Sequence, residues 1–298
     1  MRSQTAEKID FSYSTPHQHI VARTFIKSVE RMTGQLKLRK LYVDHKSDKL
    51  HSTCFFSDAI RLLGLDIDLR GVPPIEAGVD GPVVFIANHP YGVMDGIVFS
   101  WLVQQIRPGT KVMANSVLCR APEAREHLLP VDFDQTKQAL KTNLQTRKSA
   151  MDIARSGGAI GLFPAGGVAA SGKALSGPAL DPQWSPFLAK LVRVSGATVV
   201  PIFFAGQNSR LFQIASHTSY NLRLALYFHE TSRLMRKKMQ VAIGEPVTAD
   251  ELSVLSDNGE MVRHLRQKTF DLANEFDLPK HRIPSADKNF QYPAKFGL

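Results

Sequence analysis

Three stretches of this chain are apolar almost without interruption, and each ends at a glycine or a polar cluster: "PVVFIAN" (82–88), "GAIGLF" (158–163) and "ATVVPIFFAG" (197–206). A strand with one face in water alternates apolar and polar residues. Continuous apolar runs belong to strands covered on both faces, the situation of a parallel sheet. Helical patterns fall between them. "GIVFSWLVQQI" and "PFLAKLVRVSG" read as helices, and "TKVMAN" as a short strand. Residues 135–156 read as a long helix with Leu140, Leu144, Met151 and Ala154 on one side, also carrying Lys137, Lys141, Arg147, Lys148 and Arg155. The rhythm predicts an α/β fold, a largely parallel sheet flanked by helices on both faces.

The flanks are less regular. Val21, Phe25, Val29 and Met32 recur at helical spacing, with Gly34 as the stop, then a basic run, "KLRK" (37–40), and a second helix in "CFFSDAIRLLG". These form an N-terminal helical attachment. "LDIDLRG" alternates like a half-buried strand. "LRLALYF" and "MQVAIGEPV" are expected as later strands, and a helix around 260–275 precedes an irregular tail. Pro201, inside an apolar run, must sit where no ladder N–H is needed or at a bulge.

Open α/β sheets place their sites outside the carboxyl ends of the strands. The first apolar run ends there in "NHPYGVMDG", residues 88–96. Pro90 and Gly92 turn the chain sharply, and Asp95 opens the next helix. The turn can bring the carboxylate back to the His89 ring, giving a general base held by its partner. The bland alternatives are a capping role for Asp95 and a core role for His89. No G-x-S-x-G elbow occurs, so a nucleophile would come from a substrate hydroxyl. The second run leads into "FPAGGVAASGKA", close to a phosphate-binding loop, but Ala174 lacks the hydroxyl that motif needs. The third leads to Asn208, Ser209 and Arg210, a surface loop or a site wall.

Lys and Arg outnumber Asp and Glu by 37 to 27, a net charge of +10. Such a surface suits anionic lipid, nucleic acid or an acidic protein. Cys54 and Cys119 are the only cysteines, read as reduced thiols in a cytosolic setting. The first residues carry no apolar h-region, so no secretory signal is expected, and no run is long enough to span a bilayer. No H-E-x-x-H or cysteine cluster indicates a metal; His17 and His19 lie in the N-terminal tail. "RLMRKKM" (233–239) reads as a solvated basic turn.

Taken together, these stretches resemble the glycerolipid, or lysophospholipid, acyltransferase superfamily over roughly residues 25–247, and in particular its hemolysin-like and ornithine-lipid branch. That family carries Asn-His, a spacer and Asp, here Asn88, His89 and Asp95. Most members have four residues in the spacer; this chain has five, Pro90 to Met94, as that branch does. Its third block, Phe-Pro-Glu-Gly followed by Thr-Arg, corresponds to Phe163, Pro164, Ala165, Gly166 and Gly167, so Ala165 replaces the Glu and the Arg is absent. "VVPIFF", with Pro201, matches the fourth block. "VMANSVLCR" stands for the second, with Arg120 as an anion contact.

The resemblance implies acyl transfer from a thioester, acyl-CoA or acyl carrier protein, to the hydroxyl of a lysolipid. His89 and Asp95 are then catalytic, and Asn88, Tyr91, Gly92, Arg120, residues 163–167 and Pro201 bind substrate. No metal, cofactor or acyl-enzyme is expected. The missing Arg favours a phosphate-free acceptor such as a lyso-ornithine lipid; the alternative is 1-acylglycerol-3-phosphate. Residues 1–64 become a membrane-surface region, 65–276 the catalytic domain and 277–298 the tail. The implied location is cytoplasmic, peripheral on the inner face of the cytoplasmic membrane, against an anionic surface. The competing classes are a non-enzymatic basic protein binding membrane or nucleic acid, nucleic acid being disfavoured, and a lipid hydrolase.

Overall fold

The computed structural model describes residues 12–14, 18–47, 55–73, 79–134 and 136–278. His17, Cys54, Gln135 and nearly all of the expected tail lie outside these residues. The strands are β1 (Asp66–Gly71), β2 (Val83–Ala87), β3 (Lys111–Asn115), β4 (Leu128–Val131), β5 (Ala159–Leu162), β6 (Ala170–Lys173), β7 (Ser176–Leu180), β8 (Thr198–Phe204) and β9 (Lys238–Ile243). The helices are α1 (Ile20–Thr33), α2 (Gln35–Ser47), α3 (Phe55–Leu63), α4 (Val93–Ile106), α5 (Pro122–Arg125), α6 (Lys137–Arg155), α7 (Phe187–Ser195), α8 (Arg210–Thr218), α9 (Tyr220–Ala225), α10 (Tyr227–Leu234), α11 (Ala249–Ser253) and α12 (Asn258–Asp271).

Seven strands form one mostly parallel sheet in the order β1-β9-β8-β2-β5-β3-β4. Only the β8–β9 pairing is antiparallel. The central strand β2 explains the first apolar run. Val84 and Ile86 enter the core shared with α6, α7 and α12, while Val83, Phe85 and Ala87 enter the core shared with α3 and α4. All five are buried, so no position is left for a polar side chain.

Pro201 sits where its missing N–H is tolerated. Ile202 faces Ile243 and Val199 faces Val247, so Val200 and Pro201 oppose three residues, Gly244, Glu245 and Pro246. This is the bulge that a strand proline requires. Gly244 donates to the Pro201 carbonyl at 2.8 Å, and a Cβ on Gly244 would lie 2.8 Å from the proline ring.

Two expectations are corrected. "LRLALYF" is α9 and α10, not a strand. Its alternating leucines fit either period, but the Ser219 hydroxyl caps the segment by accepting from the Leu222 N–H. The basic run 37–40 lies inside α2. On α6, Leu140 and Leu144 are exposed, and the helix packs inward through Ala139, Thr146, Ala150 and Ala154. Those small residues let α6 lie close to its neighbours.

The apolar stripe on α1 faces outward. Val21 is 67% exposed and Met32 86%, with Ile20 and Phe25 outward too; Ile26 and Glu30 point inward. Ile20, Val21, Thr24, Phe25 and Ser28 line a shallow groove of about 430 Å³. Glu30 holds the N-terminal segment, accepting from the Ser12 hydroxyl at 2.6 Å and the Tyr13 N–H at 2.8 Å.

Candidate active site

His89 lies two residues beyond β2, at the carboxyl edge of the sheet. The chain turns at Gly92, whose φ of 88° is the left-handed region that favours glycine. A Cβ there would crowd Tyr227 at 3.0 Å and Val168 at 3.1 Å. Gly92 is also the N-cap of α4, which corrects the capping alternative: Asp95 is the third helical residue. Its carboxylate has two tasks. Oδ2 accepts from the Tyr91 N–H at 2.8 Å, fastening the turn. Oδ1 lies 3.1 Å from His89 Nδ1. That pair is close but off-axis for a hydrogen bond, and neither atom has another partner among the described residues. Catalytic hydrogen bonds are often poorly aligned before substrate is bound, so this geometry does not exclude one. Asp95 is fully buried and His89 17% exposed, so the imidazole reaches solvent and the carboxylate does not. The first turn of a helix favours the carboxylate charge.

The ring of His89 stacks on Phe163, with centroids 4.1 Å apart, and Phe163 rests on Phe99 at 4.8 Å. Phe163 opens the long excursion between β5 and α7, which contains the β6–β7 hairpin. That excursion returns to His89 twice. Ala169 donates to the His89 carbonyl at 2.8 Å, and Asp181 accepts the His89 N–H at 3.0 Å. The other oxygen of Asp181 accepts from Trp184 Nε1 at 2.9 Å. Burial pushes the Asp181 carboxyl up to about 6; its two hydrogen bonds and the charges of His89 and Arg266 pull the other way. Burial draws the Arg266 guanidinium down, against the attraction of Asp181.

The hairpin is held from the far side by the segment after β8. Gln213 accepts from the Ser171 N–H, Gln207 accepts from the Ala179 N–H, and Arg210 donates to the Gly177 carbonyl. His217 meets the Ser171 carbonyl at 2.8 Å. The near phosphate loop is thus a β-hairpin with Lys173 exposed on it. Ser209 caps α8, and Asn208 donates to the Tyr91 carbonyl at 3.3 Å. This stretch therefore acts as a wall that braces the site.

The expected site residues divide. His89, Asp95, Tyr91, Gly92 and Phe163 come together, with Gly166 and Gly167 in the adjoining turn. Tyr91 donates its hydroxyl to the Ala205 carbonyl at 2.8 Å. Pro164 and Ala165 are buried, Ala165 in the core that contains Trp184. Asn88 commits its amide to Phe204. Pro201 lies inside β8, short of the edge. Arg120, expected to meet an anion, donates to the Ser12 carbonyl at 2.8 Å. Two residues escape a reading of the sequence alone. Arg223 of α9 is buried and donates to the Val168 carbonyl at 2.5 Å, bringing a cation under the turn that lacks one in sequence. Asp181 has one available signal: it is the only acidic residue between Asp152 and Glu230. Cys119 is half-buried, and burial pushes its thiol up, away from the thiolate a nucleophile requires.

Sheet, turn and His–Asp pair together mark an α/β enzyme whose candidate chemistry lies at the carboxyl edge of β2. The chain belongs to the Acyltransferase family, whose model matches residues 41–279. It is an O-acyltransferase. It is 21% identical over 247 residues to the lyso-glycine lipid O-acyltransferase of Bacteroides thetaiotaomicron, an alignment covering 78% of this chain and 84% of that protein. Its fold is similar to that of the 1-acyl-sn-glycerophosphate (LPA) acyltransferase PlsC from Thermotoga maritima. The TM-score is 0.50 at 16% identity, covering 86% of this chain and 89% of the other.

Proposed function

We propose that the protein moves a fatty acyl group from a thioester, acyl-CoA or acyl carrier protein, to the hydroxyl of a lysolipid, with His89 as general base. The observation that carries this is the 3.1 Å approach of buried Asp95 to Nδ1 of a partly exposed imidazole. Asp95 holds the tautomer with the proton on Nδ1, which leaves Nε2 able to take a proton. As the hydroxyl oxygen attacks the thioester carbonyl, Nε2 accepts its proton. The C–O bond forms, the C–S bond breaks, and the imidazolium returns the proton to the departing sulfur. No protein nucleophile is used.

The acceptor is a lysolipid without a phosphomonoester. The relative from B. thetaiotaomicron acts on a lyso-glycine lipid by name, which supports an amino-acid head group; lyso-ornithine lipid belongs to the same class. One observation favours the alternative, 1-acylglycerol-3-phosphate: the buried Arg223 guanidinium donates to the Val168 carbonyl, at the turn that carries no cation in sequence. Purified protein is incubated with labelled acyl-CoA and acyl carrier protein thioesters and a panel of lysolipids. An acylated amino-acid lipid is the expected product. Faster acylation of lysophosphatidic acid assigns the phosphate acceptor, and fatty acid release without any acceptor makes the protein a hydrolase.

The reaction takes place at a membrane surface, the inner face of the cytoplasmic membrane. Among the described residues no helix is long and apolar enough to cross a membrane. The outward stripe of α1, with Arg31 exposed beside it, supports contact from the side.

A further inference from the structure

We infer that Asp181 is a positioning residue for the reaction: it fixes the main chain of His89, and so the base itself, by accepting the His89 N–H. The inference rests on His89 as the base.

His89 lies just beyond β2, where the ladder no longer holds the backbone. Its ring is placed by Phe163 and Asp95, but a ring is only as fixed as its Cα. Here both main-chain groups of His89 are taken by the excursion after β5, the carbonyl by the Ala169 N–H and the N–H by Asp181 Oδ1. Asp181 is 3% exposed. Its second oxygen is engaged by Trp184, which is 2% exposed and packs on Phe270 of α12. The carboxylate is therefore oriented from behind by an indole and presents one lone pair forward to the base. A buried carboxylate costs stability (its carboxyl is pushed up to about 6). An apolar residue would serve packing better, so the charge is retained for the two N–H groups it serves.

The geometry supplies its own test. Both partners of Asp181 are donors. Asn offers one acceptor and one donor group, so it satisfies only one of them. Replacing Trp184 with Phe removes one donor and keeps an aromatic ring. In that Trp184→Phe background, Asp181→Asn still provides an acceptor for the His89 N–H, and Asp181→Leu provides none. Steady-state kinetics and melting are measured for the set with a confirmed acyl donor and acceptor. Asp181→Asn is expected to keep kcat within about threefold of the Trp184→Phe reference. Asp181→Leu is expected to lower kcat on the order of ten- to a hundredfold, with KM for both substrates little changed, because small misplacement of a catalytic group costs that much. Equal kcat for the Asn and Leu variants overturns the inference.

Where Asp181→Leu does not fold, Asp181→Asn with and without Trp184→Phe decides. Removing the competing indole should raise the kcat of Asp181→Asn, which no loss of packing can do; an unchanged or lower kcat overturns the inference. His89→Ala is run alongside. Full turnover there would remove the base, and with it the reading this inference rests on. An inactive His89→Ala with equal Asn and Leu variants overturns the positioning role alone.

Discussion

Asn88 and Phe204 exchange two hydrogen bonds: the Asn88 amide donates to the Phe204 carbonyl at 2.9 Å and accepts from the Phe204 N–H at 2.7 Å. The side chain behaves as one more rung of the ladder, joining the ends of β2 and β8 just where His89 leaves the sheet. Asn88→Ala leaves both groups of Phe204 buried and unpaired. It should cost roughly 2–6 kcal/mol, at about 1–3 per orphaned group. Urea unfolding of the two proteins measures it; a difference under about 0.5 kcal/mol rules out the clamp.

Asp95→Asn separates the two tasks of that carboxylate. The Asn oxygen can still accept from the Tyr91 N–H, so the turn and the melting transition should hold. Its amide N–H would then face His89 Nδ1 and favour the tautomer with the proton on Nε2, which cannot act as a base. Turnover should fall about 10²- to 10⁴-fold. A lost melting transition with a normal specific rate would make Asp95 a brace and nothing more.

Asp181 gives stability a pH dependence of defined sign. Its carboxyl stands at about 6 in the fold, above its ordinary 3.8, because burial outweighs the favourable charges of His89 and Arg266. The stability it contributes is fully present below its ordinary value and is lost as pH rises through about 6. The loss is about 3 kcal/mol, since a tenfold difference in proton affinity is worth about 1.4 kcal/mol. Asp181→Asn has no such proton to lose. The variant should therefore gain on the wild type by about that amount between pH 4 and pH 7. Denaturation at several pH values reads the difference directly, and a flat difference contradicts the burial argument.

The outward stripe of α1 is predicted to carry the protein onto anionic vesicles. Val21→Asp with Met32→Asp alters exposed positions only, so folding should be retained while flotation with anionic liposomes weakens. Added salt should weaken the wild type in the same direction, since each cation near an anionic surface contributes about 1 kcal/mol and is screened. Equal flotation of wild type and variant takes α1 out of the membrane contact.

The parts legible in the sequence are those set by short-range pattern. β2, β5 and β8 announce themselves because strands covered on both faces have no polar positions. The approach of His89 to Asp95 is legible because one turn makes it. What is not legible depends on distant chain. Asp181 and His89 are 92 residues apart and meet only because a hairpin returns the chain. Arg223 and Val168 are 55 apart. Leu222, Leu224 and Leu226 suit a strand or a helix equally, and the Ser219 cap decides between them. The α1 stripe is plain in the sequence as an apolar face, but periodicity does not say whether such a face meets the core or lies outside it.

The chemistry proposed for the site stands on His89 as the base. The direct measurement is the single-turnover rate of acyl transfer by His89→Ala, with a confirmed donor and acceptor, beside a melting curve. The rate should fall by about two to four orders of magnitude with the melting transition retained. A rate within about threefold of the wild type, from a folded variant, would contradict the assignment.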